Sequence, residues 1–159
     1  MPDKPLLVTG NDNLTYSIVA CLLNSGYPVN LYTINPAEAN EIIGNHLSDI
    51  ENENFRLASS TRTWTSTEDI SDLETCSLAI IITPEDLSAK KEIIRQVSTQ
   101  QPADTIIAVN AESISLDEIQ QGVNHPERII GLNWTEPAHI TRFLEIISND
   151  KTEKKAWSH

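Results

Sequence analysis

The chain has 159 residues, of which 39% are hydrophobic, and this is enough for one domain with a buried core. Its 11 basic and 23 acidic residues give a net charge of −12, which argues against nucleic acid or an anionic membrane as a partner because both require a positive surface. No stretch approaches a membrane span, and Met1–Lys4 lacks the layout of a signal peptide, so we expect a cytoplasmic protein.

The first 33 residues predict a strand, a tight turn, a helix and a second strand. Leu6–Val8 is an apolar run that ends near Gly10, and Val29 and Leu31 alternate with polar residues. The helix between them ends at Gly26 and has an apolar face of Leu14, Ile18, Val19, Leu22 and Leu23. These elements have the size of one βαβ unit, whose first turn is where the pyrophosphate of a dinucleotide binds.

The next segment predicts a helix, a loop and a short strand. The helix begins at residues 35–36 and has a buried stripe of Ile42, Ile43, Leu47 and Ile50. Residues 51–61 are polar and predict a loop, and residues 62–65 predict a strand. A helix of one or two turns, capped by Ser66 or Thr67, is expected to follow.

The second half of the chain continues the alternation of strands and helices. Residues 78–82 are apolar without polar alternation, which is typical of a central parallel strand. One helix is predicted to begin at residues 84–86, and another at Ser115, where Glu118 completes a capping box, to run to Gly122. Further strands are predicted at residues 105–109, 128–132 and 143–147.

This order of elements predicts the fold class and the place of a binding site. It implies an α/β fold in which a doubly wound, mostly parallel sheet lies between two helical layers. The domain is assigned to residues 1–148, and the charged tail 149–159 is expected to fray. A ligand would bind beyond the carboxyl ends of the strands. The segments predicted to meet there are 10–15, 33–35, 83–86, 110–113 and 133–137.

Three stretches carry a resemblance to a known family: YTINP at residues 32–36, PEDLSAKKE at residues 84–92 and PERIIGL at residues 126–132. They resemble the NAD-binding domain of 3-hydroxyacyl-CoA dehydrogenases, and they occur in the order found in that family. The likeness extends from about residue 5 to residue 147. It implies a Rossmann-like fold, NAD as the cofactor, and an oxidoreductase of fatty acid metabolism.

The positions that would hold the cofactor depart from the family pattern. The resemblance implies a Gly-x-Gly-x-x-Gly turn, of which Gly10 keeps only the first glycine. Asp12 stands at the second, where it adds bulk and negative charge, and Thr15 stands at the third. Thr33 replaces the acidic residue that binds the adenine ribose. We therefore expect no ordinary affinity for NAD, and NAD as the cofactor only if the family function is retained.

The catalytic positions implied by the resemblance are also substituted. The family uses a histidine as general acid/base, and here Asn133 takes its place; an amide does not shuttle protons near neutral pH. Glu145 keeps the orienting carboxylate, but the histidine that it would orient is replaced. Glu112 stands where the family has a serine that binds the substrate carbonyl. Loss of such an acid/base typically reduces the rate by about 10²–10⁴-fold.

Four other family positions are retained. Asn110 and Ser113 keep the flanks of the substrate loop. Glu85 and Lys90 match residues that lie near the nicotinamide ribose in relatives. The resemblance thus leaves part of a binding site in place.

Structural explanations compete with these functional ones. Asn11, Asp12 or Asn13 fits the role of a helix cap. Glu85 would suit the dipole of a helix in its first turn, and Lys90 fits a solvated helix position.

The remaining polar residues do not predict a metal site. The two cysteines, Cys21 and Cys76, fit buried thiols. The four histidines are scattered without ligand spacing: His46, His125, His139 and His159. A weaker possibility is that the crevice holds an uncharged or cationic ligand among four carboxylates: Asp12, Glu112, Glu136 and Glu145.

Two functions remain open at this stage. The first is a catalytically inactive relative of the dehydrogenase domain that serves as a binding or interaction module. The alternative is an active NAD-dependent 3-hydroxyacyl-CoA dehydrogenase that uses altered residues or a helical domain supplied by a partner.

The resemblance also implies a partner surface. Relatives continue into a helical domain, whereas this sequence stops at His159, an end that we interpret as natural. We expect an apolar surface near Trp134 and Ile140 that is covered by a second copy or by a protein partner.

Overall fold

The chain forms one seven-stranded sheet with helices on both faces, in a computed structural model that describes residues 4–53, 63–141 and 143–153. The strands are β1 (Leu6–Thr9), β2 (Val29–Tyr32), β3 (Trp64–Thr67), β4 (Leu78–Ile81), β5 (Ile106–Asn110), β6 (Ile129–Trp134) and β7 (Leu144–Ile147). The α-helices of this described part are α1 (Asn13–Asn24), α2 (Pro36–Asn52), α3 (Leu87–Gln100), α4 (Leu116–Gln120) and α5 (Ala138–Thr141).

The strand order is β3-β2-β1-β4-β5-β6-β7, which is the doubly wound order of dinucleotide-binding folds extended by one strand. Strands β1 to β6 pair in parallel, and β7 pairs antiparallel to β6, with Asn133 opposite Glu145. The predicted mostly parallel α/β sheet is therefore confirmed. The strand order switches between β1 and β4, and a ligand crevice is expected at the carboxyl ends of these two strands.

The core consists of two apolar layers, one on each face of the sheet. On one face, Val8 and Ile80 pack with Ile18 of α1 and Ile43 of α2. On the other face, the core includes Leu7, Ile81, Ile94, Val97, Ile107 and Ile119. The apolar run of β4 contributes to both layers, as expected for a strand that is covered on both faces.

Side-chain caps fix where the helices begin. Asp12, Asn35 and Asp86 accept backbone N–H groups from the first turns of α1, α2 and α3. Ser115 and Glu118 form the predicted capping box of α4, although the helix ends at Gln120, before Gly122.

The predicted cap of the short helix is wrong, and one helix was not predicted. Ser66 and Thr67 extend strand β3 beside Leu31 and Tyr32 rather than capping a helix, and the short helix that follows is a 3₁₀ turn over Ile70–Asp72, capped by Asp69. Helix α5 was not expected.

The beginning of the tail is hydrogen-bonded to the domain. The Asn149 side chain donates to Gln120 Oε1 at 2.7 Å, and the Glu153 amide donates to the Glu127 carbonyl at 2.8 Å. Parts of three predicted segments lie outside the described residues. They are the loop from residue 54 onward, the start of the strand at Arg62, and the tail from residue 154, which contains Trp157.

Candidate functional site

The turn between β1 and α1 is closed by its own side chains. The Asp12 carboxylate accepts the Thr15 amide at 2.9 Å and the Thr15 hydroxyl at 2.6 Å, so Asp12 is the helix cap. Thr15 is completely buried beneath the turn. A Cβ on Gly10 would overlap the Thr15 side chain, which explains why glycine is retained there. The helix N–H that would be available to an anion in an uncapped turn is thus already bonded to a carboxylate.

Asn11 links this turn to the end of β2. Its Oδ1 accepts the Thr33 hydroxyl at 3.0 Å and the Ile34 amide at 2.8 Å. Thr33 is 2% exposed, and its hydroxyl also lies 3.3 Å from Tyr16 Oη. Thr33 therefore serves a local network, and the bridging role of Asn11 was not predicted from the sequence.

Lys90 is the centre of a second network at the carboxyl ends of β4 and β5. Its ammonium group has no exposed surface and donates to Thr83 Oγ1 at 3.1 Å, to the Asn110 carbonyl at 2.7 Å and to Asn110 Oδ1 at 3.0 Å. It also forms an ion pair with Glu85 Oε1 at 3.1 Å. The alternative of a solvated Lys90 is therefore wrong, because the helix turns this side chain inward with Ile94.

Glu85 extends this network to the loop after β5. Its Oε2 accepts the Ser113 amide at 3.0 Å and the Ser113 hydroxyl at 2.6 Å. Burial alone would raise the pKa of Glu85, but the Ser113 hydrogen bonds and then Lys90 outweigh it and hold the pKa below its ordinary value. Glu85 precedes the cap residue Asp86, so its predicted place in the first helical turn is wrong. The four positions that the resemblance predicts to be retained thus lie in one hydrogen-bonded group.

Asn133 joins the ends of β5, β6 and β7. It accepts the Ala111 amide at 3.1 Å and donates to the Ala111 carbonyl at 3.3 Å. Its Nδ2 also lies 3.4 Å from Glu145 Oε2, so Glu145 has a partner despite the missing histidine. Glu112 is exposed in the loop after β5. The amide thus performs a structural task at the position where the resemblance predicts an acid/base.

Two histidines that appear unrelated in the sequence meet in the fold. The rings of His46 and His139 lie 4.1 Å apart between centroids, beside Asp49. Burial and then His139 lower the pKa of His46. In contrast, no three of the four suspected crevice carboxylates gather closely enough to share an ion within the described part of the chain.

A family match covers nearly the whole chain. Residues 6–159 match the family described as 3-hydroxyacyl-CoA dehydrogenase, NAD binding domain. The chain belongs to this family.

Individual relatives agree with this membership. A 5-formyl-3-hydroxy-2-methylpyridine 4-carboxylate 5-dehydrogenase of Mesorhizobium japonicum is 33% identical over 87 residues, which are 54% of this chain and 28% of that protein. A probable 3-hydroxybutyryl-CoA dehydrogenase of Bacillus subtilis is 25% identical over 98% of this chain and 56% of the relative. This member of the dehydrogenase family therefore spans about half the length of such relatives, or less.

Solved structures show the same fold. The crystal structure of an NAD⁺-dependent dismutase, the 5-formyl-3-hydroxy-2-methylpyridine 4-carboxylic acid 5-dehydrogenase, superposes with a TM-score of 0.88 at 26% identity, over 96% of this chain and 51% of that one. A 3-hydroxybutyryl-CoA dehydrogenase from Escherichia coli K12 superposes with a TM-score of 0.84 at 27% identity, over 98% and 34%. The Rossmann-like fold is thus shared with two dehydrogenases, one of which is NAD⁺-dependent. None of the helices in the described residues is long and apolar enough to cross a membrane.

Proposed function

We propose that this domain is a catalytically inactive member of the 3-hydroxyacyl-CoA dehydrogenase family that serves as a binding or interaction module. The observation that carries this proposal is the closed turn at Gly10–Thr15. Asp12 places a carboxylate on the helix terminus that receives a pyrophosphate in dinucleotide-binding folds, and it uses the Thr15 amide for itself. A bound dinucleotide would have to displace this cap and tolerate its charge.

The residues present fit NAD poorly at two further points. Thr33 is buried and bonded to Asn11, so it offers no carboxylate to the two hydroxyls of a ribose. Asn133 is held by the Ala111 backbone, and its amide does not exchange protons near neutral pH. Cofactor and catalytic positions are thus altered together, while the core that supports them is intact.

Titration of the purified chain with NAD⁺ and NADH by calorimetry tests this proposal. We expect no binding by the natural sequence, and micromolar binding of either form would contradict the proposal. A variant that combines Asp12→Gly, Thr15→Gly and Thr33→Asp should gain affinity, because it reopens the turn and restores a ribose acceptor. The matched control is Asn133→His, which changes a catalytic position and leaves the turn closed.

A second candidate function is an active NAD-dependent 3-hydroxyacyl-CoA dehydrogenase whose helical domain is supplied by a partner. The network of Glu85, Lys90, Asn110 and Ser113 favours it, since Glu85 contacts each of the other three and Lys90 also donates to Asn110. An assay with acetoacetyl-CoA and NADH, with and without candidate partner chains, separates the two functions. Turnover in any combination would favour the enzyme, and its absence throughout would favour the binding module.

We also propose that a second copy of this chain, or a protein partner, covers the surface around β7. Three apolar side chains support this proposal by their exposure: Ile140 at 42%, Phe143 at 62% and Ile146 at 53%. Strand β7 is also the last strand of the sheet, so its outer edge offers backbone groups for pairing.

A further inference from the structure

We propose that His46, Asp49 and His139 form a binding site for a divalent transition metal ion, with zinc as the best match. One ligand atom from each of these residues lies within 4.8 Å of those of the other two. Such a site would join α2 to α5 at the surface of α1. The proposal does not depend on the proposed function of the domain.

The positions of the three residues suit a shared ion. His46 and Asp49 are three residues apart on α2, so they lie on the same helix face. Asp49 Oδ2 lies 3.9 Å from His46 Nδ1 and 3.5 Å from His139 Nε2. A zinc ion that binds nitrogen and oxygen at roughly 2.0–2.2 Å holds neighbouring ligand atoms on the order of 3.3 Å apart. The Asp49 side chain is 56% exposed, so a small movement of its carboxylate closes the remaining gap.

His139 supplies an independent indication of a ligand. The residue is 3% exposed, and its Nε2 has no hydrogen-bond partner among the described residues, although it is buried and directed at Asp49. A buried polar atom without a partner costs free energy, and a metal ion at this point would satisfy it.

The second nitrogen of each histidine is already held. His139 Nδ1 lies 2.7 Å from Ser17 Oγ, and Ser17 Oγ also accepts the His139 amide at 2.9 Å. His46 Nε2 lies 2.9 Å from Asn13 Oδ1, which can only accept a hydrogen bond, so Nε2 carries the proton. In the neutral ring, His46 Nδ1 therefore presents a lone pair towards Asp49. Metal-binding histidines typically have their other nitrogen fixed by such a partner.

The ligand set defines the class of metal. Two imidazoles and one carboxylate favour zinc and related transition metals over magnesium and calcium, which prefer oxygen ligands. Three protein ligands leave a further coordination position for water.

Calorimetric titration of the full chain, freed of metal and of any purification tag, with zinc chloride tests the site. We expect the natural chain to bind one zinc ion. The zinc affinity should fall by at least about 10-fold in Asp49→Asn and in His46→Gln. It should fall by about 10–100-fold in Ser17→Ala, which removes the support of His139. The matched control is His125→Ala, because His125 is exposed beside Glu127 and away from the cluster. Cobalt should show ligand-field absorption in the natural chain and lose it in Asp49→Asn.

Several outcomes would overturn the proposal. These are no stoichiometric zinc binding, equal affinity in Asp49→Asn and His125→Ala, or magnesium binding as strong as that of zinc, which would indicate general attraction to an acidic surface. His139 is buried, so its replacement risks unfolding the chain. The decisive substitution is therefore Asp49→Asn, at an exposed residue. Thermal unfolding without metal checks that each variant is folded.

Discussion

Lys90 shows how strongly one side chain can be committed to the fold. Its ammonium group is completely buried, and four acceptors on three residues surround it. A buried charge is tolerated only when it is paired and hydrogen-bonded in this way. Lys90 therefore holds the ends of β4 and β5 together, whatever the crevice binds.

Replacing Lys90 with methionine is expected to lower the free energy of unfolding by roughly 2–4 kcal/mol, because Glu85 and Asn110 lose their shared donor. Urea denaturation followed by circular dichroism measures the change. Arg95→Met is the matched control, since Arg95 pairs with Glu92 on the exposed side of the same helix. An equal effect of the two substitutions would contradict the assigned role of Lys90.

Glu85 predicts a dependence of stability on acid pH. Its pKa in the folded chain lies below the ordinary value of 4.5, so its contribution is present above pH 4.5 and is lost as the pH falls through the folded pKa. Denaturation between neutral and acid pH should show a steeper loss of stability below pH 4.5 in the natural chain than in Glu85→Gln. Parallel profiles for the two proteins would refute this prediction.

At the scale of elements, two glycines occupy contrasting positions. Gly44 lies inside α2 with open space where a Cβ would project. Gly131 lies in β6, where a Cβ would come 3.0 Å from Ile147 Cβ and 3.2 Å from Ala111 Cβ. The close approach at Gly131 lets β7 and the loop after β5 pack against β6.

Alanine substitution separates these two roles. Gly44→Ala should raise the free energy of unfolding by about 0.5–1 kcal/mol, because alanine favours the helix. Gly131→Ala should lower it by about 1–3 kcal/mol through overpacking. The same urea denaturation measures both variants. A loss of stability in Gly44→Ala would contradict the open space beside Gly44.

In the molecule as a unit, exposed apolar surface favours self-association, whereas the net charge opposes it. The β7 region exposes Ile140, Phe143 and Ile146, whereas the net charge of −12 makes two copies repel. Salt screens that repulsion and leaves apolar contact intact.

Self-association should therefore increase with salt concentration. Sedimentation of the natural chain and of Phe143→Ser at low and high salt measures this effect. We expect the substitution to reduce association without reducing stability, because Phe143 is 62% exposed. Tyr27→Ser, at a residue that is 39% exposed and lies after α1, is the control. A monomer at high concentration and high salt would contradict the proposed second copy as the covering partner.

The sequence predicted elements with strong periodicity and missed contacts between distant segments. The apolar run of β4 and the stripe of α2 identified the sheet and a covering helix, because burial imposes those patterns directly. Of the two predictions for Lys90, the solvated position is wrong, because its spacing from Ile94 and Val97 places it on the buried face of α3.

The sequence did not predict the histidine cluster. His46 and His139 lie on different helices, and α5 has only four residues, too few for a periodic signal. The sequence did predict a helix cap among residues 11–13, because a cap such as Asp12 depends only on residues three positions apart. Contacts between residues a few positions apart can be predicted from the sequence. Contacts between side chains on distant segments become visible only in the folded structure.

The double hydrogen bond from Thr15 to Asp12 makes the two positions epistatic. If Asp12 alone became glycine, the buried Thr15 hydroxyl would lose its acceptor, and the chain would pass through a less stable form. Changing Thr15 to glycine first removes the hydroxyl together with its need for an acceptor, and Asp12 still accepts the backbone amide of residue 15. The order of substitutions, and not only their identity, therefore governs whether a glycine-rich turn can be recovered by single mutational steps.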